Sequence, residues 1–210
     1  STQHAWFREA LNKESPYRQF YIWRDGEPET PPNNWRSKFG GSAWRWHAES
    51  EQYYLHLFAP EQADLNWENP EVREEVYKNI RWWMEKGLGG FRIDAIINIK
   101  KKLPFSDYPA DRADGLCSVG RMLEEAEGIG EFLGEMAEKC FHPYDAFTVG
   151  EVFNEKEEIQ ASIKSIMFSG SVCGIEIYAC LRDESGYQTK KIRATDKLLS
   201  STKDKVAGFI

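Results

Sequence analysis

Apolar residues recur at helical spacing once in a clear form and at strand spacing twice. Val72, Val76, Ile80 and Trp83 lie three or four positions apart, which predicts an amphipathic helix. Asn69 is a good N-cap, Pro70 suits the first helical turn, and Gly87 supplies a stop. Next comes Leu88-Gly-Gly-Phe-Arg-Ile-Asp94, read as a short strand over about 88–94. Leu88, Phe91, Ile93 and Ile96 are its core candidates. Residues 95–117, with Pro104, Asp107 and Pro109, read as a long loop. Residues 118–139 read as one helix with Met122, Phe132, Leu133 and Met136 on its apolar side. A second apolar run, Ala146-Phe-Thr-Val-Gly150, predicts a strand over 146–150, and a helix is expected over about 155–168. Helix, strand, helix, strand is the order of an α/β barrel. It amounts to about a quarter of one.

Before this block the pattern is different. Residues 1–65 read as loops and short strands, with turns at Pro31-Pro-Asn-Asn34 and Gly40-Gly41 and the clearest strand at Gln52-Tyr-Tyr-Leu-His-Leu-Phe58. After about residue 168 the pattern weakens. Residues 169–210 are rich in Ser, Lys and Thr and predict no definite element. The expected organisation is therefore 1–65 as a loop-rich subdomain, 66–168 as part of a barrel, and 169–210 as a divergent tail.

Composition narrows the classes. The 210 residues carry a net charge of −7, and no basic stripe interleaves with aromatics, which argues against nucleic acid as a partner. No apolar run approaches the ~20 residues of a membrane span. Cys117, Cys140, Cys173 and Cys180 lack metal-site or redox spacing, so reduced thiols and a cytoplasmic setting are expected. His4, His47, His56 and His142 show no ligand spacing either, so no metal is expected. Lys100-Lys-Lys102 reads as a solvated face rather than a phosphate site. The chain opens at Ser1, a start compatible with removal of a leader. Of the eight tryptophans, Trp6, Trp23, Trp35, Trp44 and Trp46 fall in the first 46 residues. Such rings can stack on sugar faces, but stapling a subdomain poor in regular structure is the more ordinary use.

Candidate chemistry sits at the two strand ends. Period-2 alternation turns Arg92 and Asp94 the same way, and a buried Arg–Asp pair is expected. Glu151 follows the second strand directly. Two carboxylates on neighbouring strand ends, one held ionised by a guanidinium, suit a retaining glycosidase.

Several segments carry a resemblance. Gly90-Phe-Arg-Ile-Asp94, Val149-Gly-Glu-Val152 and Gln62-Ala-Asp-Leu-Asn66 resemble signature segments of the alpha-amylase superfamily, in its oligo-1,6-glucosidase and alpha-glucosidase branch. Ser15-Pro-Tyr17, Tyr21-Ile-Trp-Arg-Asp-Gly26, Pro32-Asn-Asn-Trp35, Phe39-Gly-Gly-Ser-Ala-Trp44 and Tyr53-Tyr-Leu-His-Leu-Phe58 are similar to that branch as well. The resemblance runs from Ser1 to about Glu155. It implies a (β/α)8 barrel, with residues 1–65 as the inserted domain that walls the substrate pocket. It also implies Asp94 as nucleophile, Glu151 as general acid/base, Arg92 as the orienting cation, and α-glucosides of maltose or isomaltose type as substrates. No cofactor is implied, and the loop that binds calcium in some relatives lies outside the chain. The oligomeric state is not readable.

The length falls short of the roughly 250 residues of such a barrel, and the family's first and fourth signature segments are absent. The chain therefore reads as an internal fragment, expected to be inactive alone. Residues 169–210 are hypothesised to be a divergent or out-of-frame extension of a truncated gene. If no reading frame downstream encodes a family continuation, that idea fails. Ala95, next to the nucleophile, tilts the linkage reading towards α-1,4. Three alternatives stay open: a non-catalytic fragment or homologue of transporter-ancillary subunits, a trehalose-6-phosphate hydrolase, and a sucrose isomerase.

Overall fold

The computed structural model describes residues 1–150, 176–183 and 186–193. The chain divides into two compact units: Ser1–Glu74 with Asn98–Glu127, and Glu75–Ile97 with Gly128–Ile210.

The first unit holds its short elements together with aromatic rings. α1 (Ala5–Ala10) is capped by His4, whose Nδ1 accepts from the Trp6 amide at 3.2 Å. A 3-10 turn over Pro16–Phe20 is capped by Ser15. β1 (Trp23–Asp25), β4 (Gln52–Leu55) and β3 (Trp44–His47) form an antiparallel sheet in the order β1-β4-β3, with Trp23 opposite Tyr54 and Trp44 opposite Leu55. β2 (Trp35–Arg36) pairs in parallel with β6 (Cys117–Ser118). The 52–58 strand is thus shorter than its apolar run: after Leu55 the backbone turns, and Leu57 N donates to Asp64 Oδ2 at 2.6 Å instead of to a neighbouring strand.

Phe7, Phe20, Tyr21, Trp23, Tyr54 and Val72 form one core cluster. Phe7 meets Tyr21 at 5.0 Å and Tyr54 at 5.1 Å edge to face and stacks with Trp23 at 5.8 Å, both geometries that ring quadrupoles favour. Trp35 and Trp44 make a second cluster with Phe105, at 5.2 and 5.7 Å. Both indole N–H groups are used inside: Trp35 donates to Ser106 O at 2.9 Å and Trp44 to Asn33 Oδ1 at 2.8 Å. Trp23, Trp35 and Trp44 are buried and act as staples, not as sugar platforms.

α2 (Pro70–Glu85) begins as its cap predicts, with Asn69 Oδ1 accepting from Glu71 N at 2.9 Å. Its buried positions are Val72, Tyr77 and Met84, while Trp83 is exposed. The expected stripe ended one residue early, because the i+4 step from Ile80 lands on Met84.

In the second unit β5 (Gly90–Ile93) pairs in parallel with β7 (Phe147–Gly150), Gly90 opposite Phe147 and Ile93 opposite Gly150. Both strands stand where the apolar runs placed them. Gly90 is required: a Cβ there would run into the Phe147 carbonyl.

The single helix expected over 118–139 is two. α3 (Val119–Glu125) belongs to the first unit and α4 (Ile129–Met136) to the second. α3 ends where Ala126 turns extended (φ −68°, ψ 127°), and Gly128, whose φ of 82° lies in the left-handed region, stands at the N-cap of α4. A π-helical turn over Ala137–Phe141 follows α4. Ile129, Phe132, Leu133, Met136 and Phe141 are buried, and Tyr77 OH donates to Phe132 O at 3.4 Å.

In the region read as a featureless tail, β8 (Glu176–Asp183) and β9 (Gly186–Arg193) pair antiparallel, Glu176 opposite Arg193. The helix expected over 155–168 lies outside the described residues.

Candidate active site

Arg92 and Asp94 leave the C-terminal end of β5 on one face, as period-2 alternation requires. Arg92 Nη1 stands 2.6 Å from Asp94 Oδ1, with 46% and 71% of the two side chains exposed. The expected pair exists, but it is not buried. A sheet of two strands is too narrow to cover its own end, and among the described residues β5 has β7 as its one strand neighbour. Glu151, the other expected carboxylate, lies outside the described residues. Its neighbour Gly150 closes the β5–β7 ladder opposite Ile93.

The turn after Asp94 is tight. Ala95 has φ 44°, a left-handed backbone that a non-glycine residue adopts at a cost of order 1–3 kcal/mol. A 3-10 turn over Ile96–Ile99 follows, and Ile96 and Ile97 are both buried. These two anchors hold the reversed backbone behind the carboxylate. Helical and strand periodicity carry no signal for such a residue.

The lysine run is not a solvated face. Lys101 is 5% exposed and pairs with Asp64 at 3.0 Å, while Lys100 pairs with Glu68 at 2.7 Å. Asp64 also accepts from Leu57 N, so it fastens backbone and lysine together. A charge run in sequence shows its residue types but not the acids that meet them from 30 or more positions away. Arg36 was missed for the same reason. Its guanidinium spans Asp111 and Asp114, each at 2.6 Å; the Ser118 amide and then Arg36 hold the Asp111 carboxyl below the usual carboxylate range, and Arg36 and then the Leu116 amide do the same for Asp114. His56 is buried with Nδ1 3.0 Å from Phe58 O. Burial pushes its pKa down, with the Phe58 carbonyl opposing.

Among the described residues no three His, Cys, Asp or Glu side chains converge to hold a metal ion, Cys117 and Cys140 are buried, and no helix is long and apolar enough to cross a membrane.

Residues 1–202 match the alpha amylase catalytic domain. The chain belongs to that family. The match runs past Glu155, to which the resemblance was read, and the family's fold is the (β/α)8 barrel. The chain is 64% identical over 153 residues to trehalose-6-phosphate hydrolase of Escherichia coli K12, covering 72% of this chain and 26% of that one. It is 44% identical over 161 residues to oligo-1,6-glucosidase of Heyndrickxia coagulans, covering 76% and 29%. The crystal structure of Bacillus licheniformis trehalose-6-phosphate hydrolase superposes with a TM-score of 0.66 at 51% identity, over 74% of this chain and 27% of that one. The chain therefore spans little more than a quarter of the length of the relatives it matches.

Proposed function

We propose that this chain carries the nucleophile and acid/base strands of a retaining α-glucoside hydrolase. β5 and β7 are then strands four and five of the family's barrel. The observation that carries the reading is the Arg92–Asp94 pair at 2.6 Å at the C-terminal end of a parallel strand, the end of a (β/α)8 barrel where catalytic residues gather.

In this reading Asp94 attacks the anomeric carbon while Glu151 gives its proton to the leaving glycosidic oxygen. The carbon–oxygen bond breaks through an oxocarbenium-like state and a glycosyl ester forms on Asp94. Water then attacks the same carbon, Glu151 takes its proton, and Asp94 leaves as carboxylate. Arg92 keeps Asp94 ionised and aimed. The mechanism requires the two carboxyls about 5–5.5 Å apart. No cofactor takes part, and a cytoplasmic setting fits the buried free thiol of Cys117.

Two substrates compete. Maltose- or isomaltose-type oligosaccharides follow from the branch motifs, with Ala95 favouring α-1,4 bonds. Trehalose 6-phosphate is the second, favoured by the higher identity to the Escherichia coli relative, 64% against 44%. Lys100 and Lys101 already hold Glu68 and Asp64, so a phosphate would have to be met by other cations.

The test is an assay of the complete gene product carrying this sequence, on maltose, isomaltose and trehalose 6-phosphate. A retained-configuration product and a covalent glycosyl label on Asp94, located by mass spectrometry, are expected. Asp94→Asn and Glu151→Gln should both bring turnover to background. Full turnover in either variant would overturn the assignment.

A further inference from the structure

The first unit encloses a cavity of about 500 Å³ whose wall is strongly cationic for a chain of net charge −7. Lys13, Arg18, Arg24 and Lys101 line it against one acid, Glu68. Two of these charges are matched nearby, Lys101 by Asp64 and Glu68 by Lys100. Among the described residues no carboxylate makes an ion pair with Lys13, Arg18 or Arg24.

Arg18 is the telling one. It is 6% exposed, and a buried guanidinium without a counter-ion is costly. Its Nη1 donates to Ala10 O at 2.6 Å and its Nη2 to Gln52 Oε1. The guanidinium carbon sits 3.5 Å from the centroid of the Trp23 ring. Gln52 then donates to Asp25 Oδ1 at 2.5 Å, so the nearest acid is reached through an amide relay. Burial lowers the Arg18 pKa and Asp25 only opposes that shift. Arg24 spends Nη1 on Trp23 O at 2.7 Å and lies 4.7 Å from the centroid of Phe105, which leaves most of its donors for other use. Side-chain amides from Gln19 and Asn66 and the ring of Trp67 complete the polar and flat parts of the wall. Amides read hydroxyls and an aromatic face suits a sugar ring. The volume lies in the range of small-molecule sites.

We propose that this cavity binds a small hydroxylated anion, a phosphorylated or carboxylated sugar, whose oxyanion is met by Arg18, Arg24 and Lys13. The site includes none of Arg92, Asp94 and Glu151, and its test needs no turnover, so it stands or falls apart from the hydrolase reading.

Isothermal titration calorimetry on the 210-residue chain tests it, with glucose 6-phosphate, glucuronate, inorganic phosphate and glucose as probes. At least one of the two charged sugars should bind, more weakly as salt rises, and glucose should not bind at the same concentration. Binding of only one assigns the oxyanion as phosphomonoester or carboxylate. Lys13→Glu and Arg24→Gln each lie at the rim and should weaken binding about tenfold, with an unchanged circular dichroism spectrum. Arg18→Met should abolish binding; if it unfolds the chain, the two rim variants still decide. Silence of both charged sugars, glucose or inorganic phosphate binding as tightly as they do, or rim variants that bind normally would each overturn the proposal.

Discussion

The two units solve the problem of a stable interior by different means. The first has little regular structure, with strands of two to four residues. It nevertheless buries Trp35, Leu55 and Leu57 almost completely, because ring contacts and long-range ion pairs replace ladders. The second has longer helices and a parallel ladder, yet the strand end that carries Arg92 and Asp94 stays open, with Asp94 71% exposed. Regular backbone is thus no measure of how complete a unit is. What counts is whether apolar faces and strand ends find cover.

The largest effect expected from breaking this contrast is in the first unit, at its second ring cluster. Trp35→Ala should cost about 3–5 kcal/mol, the range for deleting a buried large ring, read by urea unfolding. A loss below about 1 kcal/mol would mean that the ring cluster does not hold the unit. Next is Gly90→Ala. The new methyl meets the Phe147 carbonyl, and overpacking of this kind costs about 1–3 kcal/mol. Hydrogen exchange should show β5 and β7 amides losing protection while β3 and β4 keep theirs. Equal protection in both sheets would refute the close approach.

Acid should weaken the first unit in two steps. His56 titrates lower when folded than its ordinary 6.5, so its contribution is full above that pH and is lost as pH falls through its folded value. Asp111 and Asp114 titrate below 3.8 when folded. Their contribution is complete above 3.8 and disappears as pH drops through their folded values. A thermal melt series from pH 8 to 2 should show both steps. His56→Gln should remove the upper one and leave the lower one. A melt series flat down to pH 4 in the unmodified chain would contradict the buried neutral His56.

How far the sequence reached follows the same division. The ends of α2 were legible because Asn69-Pro70 and Gly87 act locally, within one helical turn. β5 and β7 were legible because short apolar runs bounded by turns have few other uses. Arg92 and Asp94 were legible as a pair since alternation alone turns them together. Their exposure was not, because covering a strand end depends on residues far away in the chain. The break over 126–128 was missed because a lone glycine inside an apolar period can be tolerated, and the extended backbone of Ala126 that ends α3 leaves no mark in the periodicity. The buried charges Arg18, Arg36 and Lys101 were missed because each is matched or left unmatched by residues distant in sequence. The β8–β9 pair fell where no periodicity was apparent.

A smaller effect is expected at Ala95. Its left-handed backbone disfavours any side chain, and a branched one most. Ala95→Gly should raise stability by up to about 1 kcal/mol and Ala95→Val should lower it by roughly 1 kcal/mol, both read by thermal melts. A neutral Ala95→Val would mean that the turn behind Asp94 relaxes freely, and the carboxylate would then have no rigid support.

The smallest stability effect belongs to the pair to which the proposed mechanism gives the largest role. Arg92 and Asp94 form an exposed ion pair, and such pairs contribute about 0–1 kcal/mol. Arg92→Gln and Asp94→Asn should therefore leave the unfolding midpoint of the 210-residue chain nearly unchanged. The same substitutions in the complete gene product should remove turnover. Stability and activity separate only if the pair is kept for chemistry. A loss of several kcal/mol in the isolated chain would instead make Arg92 and Asp94 a structural clasp of β5, and the catalytic reading would lose the observation that carries it.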